Sequence, residues 1–190
     1  MTFSSESLED ALELLGELLT DRGEEVEVVA IGGGSLLLLG LIERATKDLD
    51  IVAVIDAGRY VSAKPLPDFL LSAVRDVAAA TGLREDWING GPTSLLDFGL
   101  PEGFEQRTTT RRFGGLVLHL AGRKDQIFFK LYASVDQGPG SKHAVDLVKL
   151  KPSPGELSEA AAWCRTHDPS EGFAQQLELA LRAFGGESER

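Results

Sequence analysis

Two short stretches carry residue types suited to handling phosphate and metal. The first is Ile31-Gly32-Gly33-Gly34-Ser35; the second, after eleven intervening residues, is Lys47-Asp48-Leu49-Asp50-Ile51. Consecutive glycines let a ligand approach bare backbone, and a helix starting there would turn its unpaired N–H groups toward a phosphate. Ser35 adds a hydroxyl donor. Side chains alternate along a strand, so Asp48 and Asp50 are expected on one face, about 7 Å apart at Cα. Two carboxylates so placed repel and are costly to bury without a cation. A hard divalent cation, Mg²⁺ or Mn²⁺, removes that cost, because it takes carboxylate oxygens and bridges them to substrate phosphates. A glycine turn for phosphates and a carboxylate pair for a metal are the minimum for nucleotidyl transfer. Each motif alone has a plainer reading, a tight turn or two solvated aspartates. Their order and spacing together favour the chemical one. Other phosphate motifs fail: there is no Gly-Lys-Ser/Thr ending, and Leu37 stands where a dinucleotide fingerprint needs its third glycine.

The elements that must position these residues are readable on either side. Val26–Ile31 is a β-branched run ending at the glycines and predicts a strand. Ser35 to about Arg44 predicts an apolar helix, and Asp48–Ile55 a second strand. Upstream, Ser7 is the expected N-cap of a helix through about Leu19, closed by Gly23. Downstream, Pro67-Asp68 opens a helix to about Thr81, stopped by Gly82. The glycine-rich stretch from Asp86 to Gln106 predicts a long loop with one short helix near Ser94–Phe98. Gln106–Phe113 and Leu116–Ala121 predict strands across a Gly114-Gly115 turn. Helices follow at Asp125 to about Val135 and at Lys142–Leu150. Ser153-Pro154-Gly155-Glu156 is a capping-box pattern opening a helix to about Thr166. Gly172–Phe184 forms the last helix, with a frayed tail expected after Gly185. This order predicts an α/β (α+β) fold, a small mixed sheet flanked by helices with a C-terminal helical lobe. The expected division is a domain over residues 1–150 and a helical segment over 151–190 packed on it.

Composition sets the outer bounds. The chain has 190 residues, of which 43% are hydrophobic, enough for a real core. One cysteine, Cys164, excludes an internal disulfide and a cysteine zinc cage, and the reducing cytoplasm is the expected compartment. The start lacks the pattern of a secretion signal. The apolar run Leu36–Ile42 is far short of the roughly 20 residues a bilayer requires, so no membrane partner is expected. The net charge of −11 argues against a surface that coats nucleic acid. Even so, Arg107, Arg111, Arg112, Arg123, Lys124, Lys130, Lys142, Lys149 and Lys151 crowd one third of the chain. They are read either as a local RNA groove or as ordinary solvated charge.

The pattern Gly33-Gly34-Ser35 … Asp48-Leu49-Asp50 resembles the hG[GS]…DhD signature of the polymerase-beta-like nucleotidyltransferase superfamily. Arg44-Ala45-Thr46-Lys47-Asp48-Leu49-Asp50 is similar to the R-x-T-x-D-hydrophobic-D stretch of AbiE-type nucleotidyltransferases, which include toxins of bacterial toxin–antitoxin pairs. Asp86-Trp87-Ile88-Asn89 resembles a W-L-N segment of their uncharacterised relatives. Phe129-Lys130-Leu131-Tyr132-Ala133 resembles a helix carrying a functional lysine, and Lys142-His143-Ala144-Val145-Asp146-Leu147 a closing K-x-x-x-D-L motif. The resemblance covers about residues 28–150.

By position, the resemblance implies that Asp48 and Asp50 bind Mg²⁺ and that Gly33, Gly34 and Ser35 hold the triphosphate of an NTP, with Arg44 and Lys47 beside it. Lys130 would neutralise phosphate charge in the transition state, and Asp146 would orient the attacking group or act as base. The implied reaction transfers a nucleoside monophosphate to an RNA, such as a tRNA, or to a protein, with a cognate antitoxin as partner. Larger members carry a third carboxylate on a later strand, which this sequence lacks; Asp97 and Glu105 lie in loop-like stretches. The alternative is therefore a catalytically inactive module of the same fold that binds nucleotide or a protein partner. Plainer readings are a snorkelling Lys130, an Asp146 paired on the surface with Lys142 or Lys149, an outward-facing His119, and a Cys164 without chemistry. A metal role for His143 is not expected, and Trp87 and Trp163 are expected in the core.

Overall fold

The structure, a computed structural model, describes residues 2–185; the tail expected to fray lies outside them. In chain order the elements are α1 (Ser5–Asp21), β1 (Val26–Ile31), α2 (Gly32–Leu38), β2 (Leu49–Asp56), β3 (Arg59–Ser62), α3 (Asp68–Thr81) and β4 (Ile88–Asn89). Two 3₁₀ turns follow (Gly91–Leu96 and Phe104–Arg107), then β5 (Thr109–Phe113), β6 (Leu116–Leu120), α4 (Arg123–Gln137), α5 (Lys142–Lys149), α6 (Pro154–His167) and α7 (Glu171–Ala183). The fold is mixed α/β with a helical C-terminal region. Two compact units divide it: one runs up to Asp97 and includes Glu105–Ala121, the other joins Phe98–Phe104 to the chain from Gly122 on.

The first unit is built on a mixed sheet in the order β3-β2-β1-β6-β5, with β4 added in parallel to β2. β1 runs parallel to β6 and antiparallel to β2. α1 packs on β5 and β6 and beside α2 and α3, while α2 lies against β1 and β2. Leu8, Leu12, Leu15 and Leu19 recur along one face of α1 and are fully buried, as an amphipathic helix on a sheet requires. Gly16 sits where α1 meets the β5–β6 turn: an added Cβ would stand 1.7 Å from the Phe113 carbonyl oxygen. The Gly115 N–H donates to the Gly16 carbonyl at 3.0 Å across the same contact.

Three local expectations are corrected. Ser7 does not cap α1. Ser4 does, its hydroxyl accepting from the Ser7 N–H, while the Ser7 hydroxyl accepts from the Ser4 N–H. α2 begins within the glycines and ends at Leu38, well before Arg44, with the chain turning through Gly40 at φ 67°. β3 and β4 were not anticipated. β3 closes on β2 through Ala57 and Gly58, both at positive φ, the conformation of a two-residue hairpin turn; Ala57 lacks the Asn or Asp that usually announces one.

The second unit is helical. α4 packs on α5, α6 and α7. Phe128, Phe129, Tyr132, Trp163, His167 and Phe173 form an aromatic cluster with ring centroids 3.9–6.0 Å apart. The capping box opening α6 is present as expected. Among the described residues no helix is long and apolar enough to cross a membrane.

Candidate active site

The glycines and aspartates meet at the end of the β1–β2 pair. In β2 opposite Val29/Ala30 an extra residue interrupts the ladder, and beyond it Ile31 pairs with Asp50. That one-residue shift of register sets the Asp50 carboxylate beside the first glycine: a Cβ on Gly32 would lie 2.8 Å from Oδ2 of Asp50. Gly32 also has φ 76°, a conformation glycine adopts without strain. Gly34 is constrained by packing instead. Its missing Cβ would meet Leu49 Cδ1 at 2.8 Å and the Asp48 carbonyl oxygen at 2.9 Å. The glycine run therefore serves close approach of α2 to the start of β2. α2 is seven residues long, less than two turns, so whatever it offers a phosphate comes from local N–H groups and not from a summed dipole.

Asp48 and Asp50 are both half-buried and flank a fully buried Leu49, the alternation expected of an extended chain. Asp48 stands one residue before β2 begins. Its carbonyl accepts from the Thr46 hydroxyl at 3.3 Å, and Thr46 in turn bridges to Phe3. An added Cβ on Gly33 would lie 3.0 Å from Thr46 Oγ1 and 3.2 Å from Arg44 Nη2, so the Arg44 guanidinium reaches the glycine run. Lys47 is exposed; Ser35, Gly33 and Gly34 are buried, Ser35 completely.

Asn89, Trp87 and Arg84 belong to the same neighbourhood. β4 pairs in parallel with β2 so that Asn89 faces Asp50, and its amide donates to Asp50 Oδ1 at 3.3 Å. Trp87 anchors that strand from the core: it is 1% exposed, its indole N–H donates to the Val74 carbonyl, and its own carbonyl accepts from the Leu49 N–H at 2.7 Å. Arg84 and Asp86 form an exposed pair at 2.6 Å. The bond to Asp86 raises the Arg84 pKa, with a smaller contribution from the Asp48 charge, and the same bond holds Asp86 below the usual carboxylate range. Of these, the motif around Trp87 was visible in the sequence, but the use of Asn89 depends on β4, whose two residues carry no strand pattern. Among the described residues no group of three or more His, Cys, Asp or Glu forms a metal cage; the carboxylates here are a pair.

Lys130 and Asp146 lie in the second unit and meet each other. Lys130 Nζ donates to Asp146 Oδ2 at 2.7 Å, with the side chains 2% and 0% exposed. The pair corrects the plainer expectations of a snorkelling lysine and a surface aspartate. Gln126, Lys130 and Ser134, at four-residue spacing on α4, form a buried polar row.

A family model described as "Nucleotidyltransferase of unknown function (DUF6036)" matches residues 6–139, well over half of the chain. The chain belongs to that family. No curated protein and no solved structure matches it. The nucleotidyltransferase match runs from α1 to α4 and includes the glycine run, both aspartates, Asn89 and Lys130, while Asp146 falls beyond it. His119 is held on the sheet between Glu27 (3.2 Å) and Thr110 (3.1 Å), and burial pushes the Cys164 thiol far up, away from any thiolate chemistry.

Proposed function

We propose that this nucleotidyltransferase family member uses Mg²⁺ or Mn²⁺ to move a nucleoside monophosphate from an NTP to a hydroxyl on RNA, such as a tRNA, or on a protein, releasing pyrophosphate. The observation that carries the reading is the Asp50 carboxylate set against Gly32 by the shifted register. The donor set suits a hard cation, because Asp48 and Asp50 are half-buried oxygen ligands on one side of an extended chain. Asp48 and Asp50 would hold the cation; Gly33, Gly34 and Ser35, through their backbone, with Arg44 and Lys47, would hold the triphosphate. When bound, the cation would offset charge on the transferring phosphate. The acceptor oxygen forms a bond to the α-phosphorus as the bond to the bridging α–β oxygen breaks.

Lys130 is proposed to neutralise phosphate charge and Asp146 to orient the acceptor or take its proton. Their support is the likeness of Phe129–Ala133 and Lys142–Leu147 to the lysine-bearing helix and the closing motif of the family that the sequence resembles. Action as a toxin restrained by an antitoxin rests on the likeness of Arg44–Asp50 to the AbiE-type stretch.

Incubation with α-³²P-NTP, Mg²⁺, bulk RNA and bulk protein tests the reading. Wild type should label one acceptor class, while Asp48→Asn and Asp50→Asn should lower labelling by at least a hundredfold. Undiminished transfer by Asp50→Asn would defeat it. A second reading, a module that binds nucleotide without turnover, is favoured by one feature: among the described residues the carboxylates here are only a pair, and the residue facing Asp50 is an amide, Asn89. It predicts NTP binding with no labelled product.

A further inference from the structure

We infer that Asn89 is a positioning residue for the metal-holding carboxylate Asp50, an inference that rests on the two-carboxylate reading above. The direction of its amide is fixed from both ends. The side-chain oxygen accepts from the Gly91 N–H at 2.9 Å, so the nitrogen must face the opposite way, toward Asp50 Oδ1 at 3.3 Å. An oxygen in that place would set two acceptors against each other, and the Gly91 donor would lose its partner.

The segment bearing Asn89 is itself held closely. Gly90 lies so near Ala63 that an added Cβ would stand 2.0 Å from the Ala63 carbonyl oxygen. The Thr93 hydroxyl accepts from the Ala63 N–H at 2.9 Å, and the Thr93 N–H donates to the Gly90 carbonyl. With Trp87 buried on the other side, Asn89 has closely packed residues before and after it.

Asp50 is thereby bounded on two sides. Oδ1 receives the Asn89 donor and Oδ2 lies by Gly32. A donor to Oδ1 restricts the orientation of the carboxylate. Partners that orient a metal's ligands commonly govern affinity by 10- to 100-fold.

Mn²⁺ titration in the presence of a non-hydrolysable NTP, followed by the electron paramagnetic resonance of free Mn²⁺, tests this without any turnover. Asn89→Ala should weaken Mn²⁺ binding about 10- to 100-fold, and Asp50→Asn should abolish it. Asn89→Asp keeps an acceptor for Gly91 but places a second carboxylate against Asp50. It should melt lower than wild type in metal-free buffer and gain more than wild type from added Mn²⁺. Loss of binding in Asp50→Asn with unchanged affinity in Asn89→Ala overturns the role of Asn89 alone. Wild-type affinity in Asp50→Asn overturns the two-carboxylate site and the inference together. Should Asn89→Ala fail to fold, Asn89→Asp decides: a melting temperature and Mn²⁺ response equal to wild type defeat the inference.

Discussion

Asp146 of α5 is fully buried and accepts from the Lys130 ammonium at 2.7 Å. Spacing within one helix reveals only neighbours three or four positions away, which for Asp146 are Lys142 and Lys149. Its partner is sixteen residues upstream on α4, reached because α4 and α5 pack together. The energetic consequence is testable. Removing one member breaks a buried ion pair, which costs about 3–5 kcal/mol. Lys130→Met and Asp146→Asn should each lose that much in urea unfolding, whereas the double variant Lys130→Met/Asp146→Leu should recover most of it. Activity separates structure from chemistry: if the pair serves the reaction, the restabilised double variant stays inactive in the label-transfer assay. A stable double variant with normal transfer would assign the pair to folding. Asn89 is the opposite case, since its surrounding motif was legible but its bond to Asp50 needed the parallel pairing of β4 with β2.

Elements announced by their own ends were legible; those created by distant partners were not. α3, stopped at Gly82 in the left-handed conformation, and α6, opened by Ser153 and Glu156, carry their boundaries in local residues. β4 has two residues and exists only because β2 offers an edge, and α2 starts on glycines that disfavour helix because nothing larger fits against Leu49 and Asp48. The α6 cap yields a pH prediction. The Glu156 carboxylate accepts from Arg123 at 2.6 Å and from the Ser153 N–H at 2.8 Å, and these bonds, that to Arg123 foremost, hold its pKa below the ordinary 4.5. A carboxyl with a lowered folded pKa contributes stability fully above its unfolded value and loses it as pH falls through the folded one. Glu156→Gln should therefore cost roughly 1–2 kcal/mol at pH 7, from a charge-assisted bond and a cap. The deficit should shrink toward zero as pH drops below about 4.5. Urea unfolding of both proteins at pH 7, 5 and 3.5 reads it, and a gap that stays constant with pH would assign the effect to packing of the side chain.

For the molecule as a whole, charge bears on the acceptor. The chain carries a net −11, and the basic residues crowded between Arg107 and Lys151 do not act as one free set. Arg111 pairs with Glu9, Arg123 with Glu156, Lys124 with Glu159 and Lys130 with Asp146, each within 2.7 Å. Arg107, Arg111 and Arg112 also belong to the first unit, the others to the second. An RNA acceptor would thus be engaged by few cations against an acidic background, and counterion release sets the scale. Each phosphate neutralised on a single strand contributes roughly 0.7 to the slope of log K against log salt. If Arg112, Lys142, Lys149 and Lys151 all took part, the slope would be no steeper than about −2.8 on that scale. Fluorescence anisotropy with labelled tRNA between 50 and 200 mM KCl should then show affinity falling by about fiftyfold at most. A slope near −6 would demand phosphate contacts beyond these four side chains and restore the continuous basic groove that the ion pairs argue against. A flat profile, with label still transferred, would move the acceptor from RNA to protein, because a hydroxyl on a polypeptide brings no condensed counterions to release.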